Sequence, residues 1–161
     1  MSILGNLLKK KEIVISAPVA GQCVSLQEVP DETFSQELLG KGIAIQPTDG
    51  KVCAPADGEV SAAFPTGHAI GINTGDGVEL LIHLGVDTVK LEGKHFELKV
   101  EVGQKVKKGD LLVIADIEGI RADGYDTITP VIVTNTTDYS SVEGTPGKAV
   151  VSGDEILLIK R

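Results

Sequence analysis

Short segments in which apolar and polar residues alternate recur along the chain at 12–16, 22–26, 42–46, 58–64, 68–73, 78–84, 110–115, 130–134 and 156–160. Period-two alternation in stretches rich in Val, Ile and Thr, bounded by Gly, Pro and Asp, marks strands that bury one face. Many such strands at short intervals predict an all-β fold, an antiparallel β-sandwich or barrel. Helical periodicity is confined to 31–39 and 116–122, so one or two very short helices are expected, neither able to organise a core.

Two turns echo one another, because Ala17-Pro-Val-Ala-Gly21 and Ala54-Pro-Ala-Asp-Gly58 share A-P-x-x-G. Proline presets φ at the start of the turn and glycine permits a positive φ at its end, so the same turn is expected twice. Two copies are too few for a solenoid and predict instead a folded-over sandwich with quasi-repeated hairpins, an internal quasi-repeat. A third tight turn falls in 102–112, where the lysines read as a solvated loop.

The arms 68–73 and 78–84 flank Thr74-Gly-Asp-Gly77 and read as one β-hairpin. A turn symmetric about Gly75 and Asp76 pairs Asn73 with Val78 and His68 with His83. Directly opposed residues share a face, with Cβ atoms roughly 5 Å apart. The two imidazoles are therefore expected side by side, with Thr66, Ile70 and Leu81 on their face and Val78, Leu80, Ile82 and Leu84 toward the core. A slip of one residue would separate them. Neutral imidazole is nucleophilic near physiological pH, so an opposed pair is a candidate reaction site.

Composition narrows the partners more than the fold. At 161 residues the chain suits one domain, 12–161, preceded by a tail at 1–11. The formal charge of −8 and a pI near 4.8 disfavour nucleic acid, and two Tyr, three Phe and no Trp leave little to stack on bases. An acidic surface favours basic protein partners. Cys23 and Cys53 lack CxxC spacing and read as buried thiols in a reducing cytoplasm. No apolar run reaches the ~18 residues of a membrane span, and no signal-peptide pattern occurs, so a cytoplasmic location is expected. In the tail, Ile3, Leu4, Leu7 and Leu8 share a helical face ahead of Lys9, Lys10 and Lys11, an amphipathic tether giving at most weak membrane association.

Several stretches resemble the glucose-type enzyme IIA domains of the bacterial sugar phosphotransferase system. They are Ala17-Pro-Val-Ala-Gly21, Val29-Pro-Asp-Glu-Thr-Phe34, Gly40-Lys-Gly-Ile-Ala-Ile45, Phe64-Pro-Thr-Gly-His-Ala-Ile70, Leu81-Ile-His-Leu-Gly-Val-Asp-Thr-Val89 and Thr129-Pro-Val-Ile132. The likeness spans essentially everything after residue 12, and H-x-G-x-D-T-V with an upstream T-x-H-A is a specific combination. The resemblance implies a phosphotransferase component without a cofactor. In it His83 becomes a tele-phosphohistidine, charged by the phosphocarrier HPr and discharged onto a cysteine in the IIB domain of a glucose-type sugar permease. His68 is implied as its partner and is read as the transition-state stabiliser, with Thr66 expected to orient it. A backbone carbonyl near Gly85 is expected to fix the His83 tautomer. Asp87 and Asp31 are implied at the rim, facing basic residues of HPr. Phe34, Leu38, Leu39, Phe64, Ile70 and Leu81 are implied as an apolar docking patch. A non-enzymatic reading, compatible with this one, is a regulatory binding module whose phosphorylation state is sensed by other proteins. The chain departs from the family at Leu81, where some members carry Phe, at Gly67, where a larger polar residue is common, and at His95, where glycine is frequent. His95 reads as a surface loop residue.

Two other chemistries fit parts of the pattern. His83-Leu-Gly-Val-Asp87 also fits the HxxxD of a zinc hydrolase, with His68 as a third ligand, although the HxH that completes such sites is missing. The 102–112 turn resembles a biotinyl or lipoyl carrier, but no M-K-M or D-K context displays a lysine for attachment.

Overall fold

Antiparallel pairing joins every strand of the computed structural model, which describes residues 12–161. The tether expected at 1–11 lies outside the described residues. The chain forms β1 (Glu12–Ser16), β2 (Gly21–Val24), helix α1 (Glu32–Ser35), β3 (Lys41–Pro47), β4 (Lys51–Cys53), β5 (Gly58–Ala63), β6 (Ala69–Thr74) and β7 (Glu79–His83). It continues through β8 (Phe96–Leu98), β9 (Lys105–Val106), β10 (Leu111–Ala115), helix α2 (Ile117–Ala122), β11 (Thr129–Val133), β12 (Ser141–Gly144), β13 (Ala149–Val150) and β14 (Glu155–Lys160). An eight-stranded sheet runs in the order β13-β2-β3-β11-β7-β6-β5-β9, beside two three-stranded sheets, β1-β14-β12 and β4-β10-β8. Ile15, Ile43, Ile45, Ile72, Ile82, Leu112 and Ile159 are wholly buried in the main core. Among the described residues no helix is long and apolar enough to cross a membrane.

The quasi-repeat expected from A-P-x-x-G is present as a matched set of backbone bonds. Ser16 N–H donates to Pro55 O and Cys53 N–H donates to Pro18 O, so each turn is pinned by the other. Ala17 N–H donates to Asp154 O and Gly153 N–H to Ala17 O; Ala54 N–H donates to Asp110 O and Gly109 N–H to Ala54 O. The 102–112 turn is thus the counterpart of 146–156, both carrying G-x-x-V-x-x-G-D, a repeat that the search for A-P-x-x-G alone overlooks. In each copy the aspartate carboxylate accepts the N–H three residues upstream, Lys107 from Asp110 and Val151 from Asp154, both at 2.9 Å.

The expected hairpin register is wrong by one residue. Asn73 pairs with Glu79 and Ala69, not His68, pairs with His83. The loop between the arms has three residues: Thr74 N–H donates to Val78 O, Gly77 N–H to Thr74 O, and the Thr74 hydroxyl takes up Val78 N–H at 3.0 Å. Gly77 closes it at φ +92°, the left-handed position of a three-residue hairpin. The shift turns Ile70 and Ile72 into the core with Leu80 and Ile82, and all four are buried. Ile70, expected on the docking patch, is withdrawn from the surface.

Helix α1 is shorter than the 31–39 pattern suggested. Glu37 adopts φ +57°, Leu38 N–H reaches back to Thr33 O, and Glu37 N–H bonds Phe34 O. These are the paired bonds of a Schellman stop, so the following leucines leave the helix and face outward. Cys53 lies in β4, a strand as expected, whereas β8, β9, β12 and β13 escape the pattern because segments of two to four residues are too short to show alternation. Cys23 is buried as expected, whereas Cys53 is only half-buried.

Candidate active site

His83 ends β7, where the chain turns through Gly85 at φ +86°. Its Nδ1 lies 2.7 Å from Gly85 O. A carbonyl can only accept, so Nδ1 carries the proton and Nε2 of the neutral ring keeps its lone pair. A side chain at position 85 would meet Asp126 O and Thr88 Cγ2, each at 2.6 Å, so only glycine brings the carbonyl this close.

Direct opposition is not what brings His68 to His83. His68 stands one residue ahead of β6, after Gly67 at φ +75°, and there the pleat no longer dictates its direction. The two rings meet edge to face with centroids 5.3 Å apart and planes at 77°. A Cβ on Gly67 would lie 2.8 Å from Phe96 Cβ, so the turn that delivers His68 also depends on glycine. Thr66 Oγ1 lies 2.6 Å from His68 Nδ1. When the hydroxyl donates, the His68 proton is on Nε2, complementary to the bare Nε2 of His83.

Burial drives the His68 pKa below its ordinary 6.5, and proximity of His83 lowers it further. The His83 pKa is also lowered by burial, against the upward pull of the Gly85 carbonyl and of the charges on Asp31 and Asp87. Both rings are therefore neutral at physiological pH, the state required of a nucleophile and a hydrogen-bond donor.

Asp31 caps α1, accepting Thr33 N–H at 2.9 Å, and is half-buried; Asp87 is exposed, with φ +60°. The apolar residues divide into three levels. Phe34 is buried and its ring centroid lies 5.1 Å from that of His83; Leu81 is half-buried against the same cluster. Phe64 is 46% exposed, with its centroid 5.2 Å from His68, and Leu38 and Leu39 are 67% and 41% exposed. Ile70 lies in the core. The sequence reading overlooked Val89, 52% exposed beside Asp87, and Thr88, which is wholly buried, although both belong to H-x-G-x-D-T-V.

His95 lies in a turn, as expected of a loop residue, but it is half-buried and tied down there. Its Nε2 lies 2.8 Å from Asp123 Oδ2 and its Nδ1 3.5 Å from Asp116 Oδ2, joining the loop before β8 to both ends of α2. Among the described residues, no group of three or more His, Cys, Asp or Glu side chains could hold a metal ion, so His68, His83 and Asp87 do not form the set a zinc hydrolase needs.

Comparison with known proteins agrees with this geometry. Residues 13–139 match the family described as phosphoenolpyruvate-dependent sugar phosphotransferase system, EIIA 1. The glucose-specific EIIA component of Bacillus cereus is 46% identical over 145 residues, covering 90% of this chain and 88% of that protein. The beta-glucoside-specific EIIBCA components of Halalkalibacterium halodurans and Bacillus subtilis are 48% and 52% identical, and the chain spans only 23% and 21% of their lengths. The structure of glucose permease IIA from Mycoplasma capricolum superposes with a TM-score of 0.85 at 38% identity, covering 92% of this chain and 96% of that one. By its residues, its sandwich and these relatives, the chain belongs to the EIIA 1 family of the phosphoenolpyruvate-dependent sugar phosphotransferase system.

Proposed function

We propose that His83 is the phosphoacceptor of this EIIA domain and that the chain relays a phosphoryl group from HPr to the IIB domain of a glucose-type permease. The Nε2 lone pair of His83 attacks phosphorus, the N–P bond to the donor histidine breaks, and its electron pair stays on the departing nitrogen. In the second half a IIB cysteine thiolate attacks, and the pair of the breaking N–P bond returns to His83 Nε2. Phosphoryl transfer asks the protein mainly for in-line placement and charge stabilisation. His68 supplies the latter from Nε2–H, with Thr66 holding its other nitrogen.

The observation that carries this reading is the commitment of His83 Nδ1 to Gly85 O, which leaves Nε2 as the free nucleophile beside a second imidazole. Exposed Phe64, Leu38 and Leu39 suit a docking surface that excludes water, and Asp31 and Asp87 at its rim suit a basic partner such as HPr. Their charges also repel a phosphoryl dianion, which favours onward transfer over storage. The same face, alternating between two charge states, is open to proteins that sense phosphorylation. A reducing cytoplasm suits the free thiols Cys23 and Cys53.

The test is incubation with phosphoenolpyruvate, enzyme I and HPr, comparing wild type with His83→Gln. Acid-labile label on the wild type and none on the variant is expected. Label retained by His83→Gln would overturn the assignment.

A further inference from the structure

Thr88 has no part in the chemistry described above, yet its side chain is wholly buried directly beneath it. Its hydroxyl donates to Leu84 O at 2.6 Å. Its methyl fills the space beside Gly85, where a Cβ would approach within 2.6 Å. From the other side Asp126 O accepts Val86 N–H at 3.0 Å. In a trans peptide the N–H and C=O point in opposite directions, so anchoring Val86 N–H on Asp126 aims Gly85 C=O toward His83. Leu84, the residue Thr88 holds, also donates its N–H to His68 O at 2.7 Å, which ties both histidine backbones to one point.

We propose that Thr88 is a positioning residue: by holding the Leu84 carbonyl it keeps Gly85 O on Nδ1 of His83 and so keeps the lone pair on Nε2. Free imidazole in water prefers its proton on the nitrogen remote from the backbone, the reverse of what nucleophilic attack by Nε2 requires. The carbonyl must therefore impose the less favoured tautomer, and a loosened 84–86 turn lets the ring revert. The proposal rests on His83 as the phosphoacceptor, but its first readout does not use phosphate.

The test compares wild type, Thr88→Val, which preserves shape without the hydroxyl, and Thr88→Ser, which preserves the hydroxyl. Nitrogen-15 shifts of the His83 ring report the tautomer, and rapid-quench transfer from phospho-HPr reports uptake. Wild type and Thr88→Ser are expected to carry the proton on Nδ1 throughout. Thr88→Val is expected to show a substantial Nε2–H population and uptake slowed by about ten- to a hundred-fold, the range lost when the partner that orients a metal-ligating histidine is removed. An unchanged tautomer in Thr88→Val overturns the proposal even if uptake slows, since only packing would then be at stake. Failure of serine to restore the wild-type tautomer overturns it as well. If Thr88→Val does not fold, Thr88→Ala replaces it under the same criteria. Label mapped away from His83 in the wild type would remove the phosphoacceptor reading while leaving the tautomer result standing.

Discussion

Replacing His68 by glutamine separates the two halves of the relay. The rings lie 5.3 Å apart, so a phosphoryl group on His83 Nε2 stands within reach of His68 Nε2–H. A dianion there favours the protonated ring, and two unit charges at that separation attract by about 3 kcal/mol at an effective dielectric of ~20. A glutamine amide retains a neutral hydrogen bond worth about 1 kcal/mol. The net loss of about 2 kcal/mol corresponds to roughly thirty-fold in rate, below the roughly hundred- to thousand-fold lost when a transition-state donor is removed outright, because glutamine still donates. The loss should fall on delivery. There an anionic thiolate attacks a dianionic group, whereas uptake passes the group between neutral imidazoles. Rapid-quench measurement of both steps with labelled phosphate is expected to give uptake within about threefold of wild type and delivery slowed about thirty-fold. Delivery by His68→Gln within threefold of wild type, or uptake slowed as much as delivery, refutes this use of the second histidine.

Other expectations follow from the same geometry. Gly67→Ala forces a side chain into φ +75° against Phe96, which costs about 1–3 kcal/mol, and urea denaturation showing no loss would contradict it. Both site histidines have pKa values below 6.5 in the folded chain, so between the folded and unfolded values the unfolded state binds more protons. That stability is fully present above pH 6.5 and is lost as pH falls through the folded values. Urea midpoints between pH 7 and 5 should therefore decline more in wild type than in a variant with both histidines replaced by glutamine. His95→Ala should let the Asp123 carboxyl, held below its ordinary 3.8 by hydrogen bonds from His95 and Lys94, move back up in a carbon-13 titration; an unmoved value would place the cause elsewhere.

Much of the fold is legible in the sequence because alternation reports burial directly. Strands β1, β3, β5, β7, β10, β11 and β14 lie where the pattern marks them, whereas β8, β9, β12 and β13 are defined by partners distant in sequence. The hairpin shows how a site can be found through a faulty step. Pairing His68 with His83 assumed a two-residue loop, but the Thr74 hydroxyl and Gly77 make a three-residue one, and the true register would have put the rings on opposite faces had His68 been in the strand. It is not, because Gly67 turns the chain immediately before it. Side-chain conformation at a bend follows from local φ and from Phe96 across the gap, neither of which alternation encodes. Ile70 differs for another reason: it lies within β6, and the three-residue loop shifts it opposite Ile82 and into the core. The bond from His95 to Asp123 depends on where α2 docks, which no local pattern records.

The whole relay turns on Nε2 of His83 carrying the transferred group. Phosphorus-31 and nitrogen-15 spectra of the chain charged through enzyme I and HPr test it most directly. One phosphohistidine is expected, with phosphorus coupled to Nε2 of His83 and the Nδ1 proton still bonded to Gly85 O. Coupling to Nδ1, or to any nitrogen of His68 or His95, would contradict it.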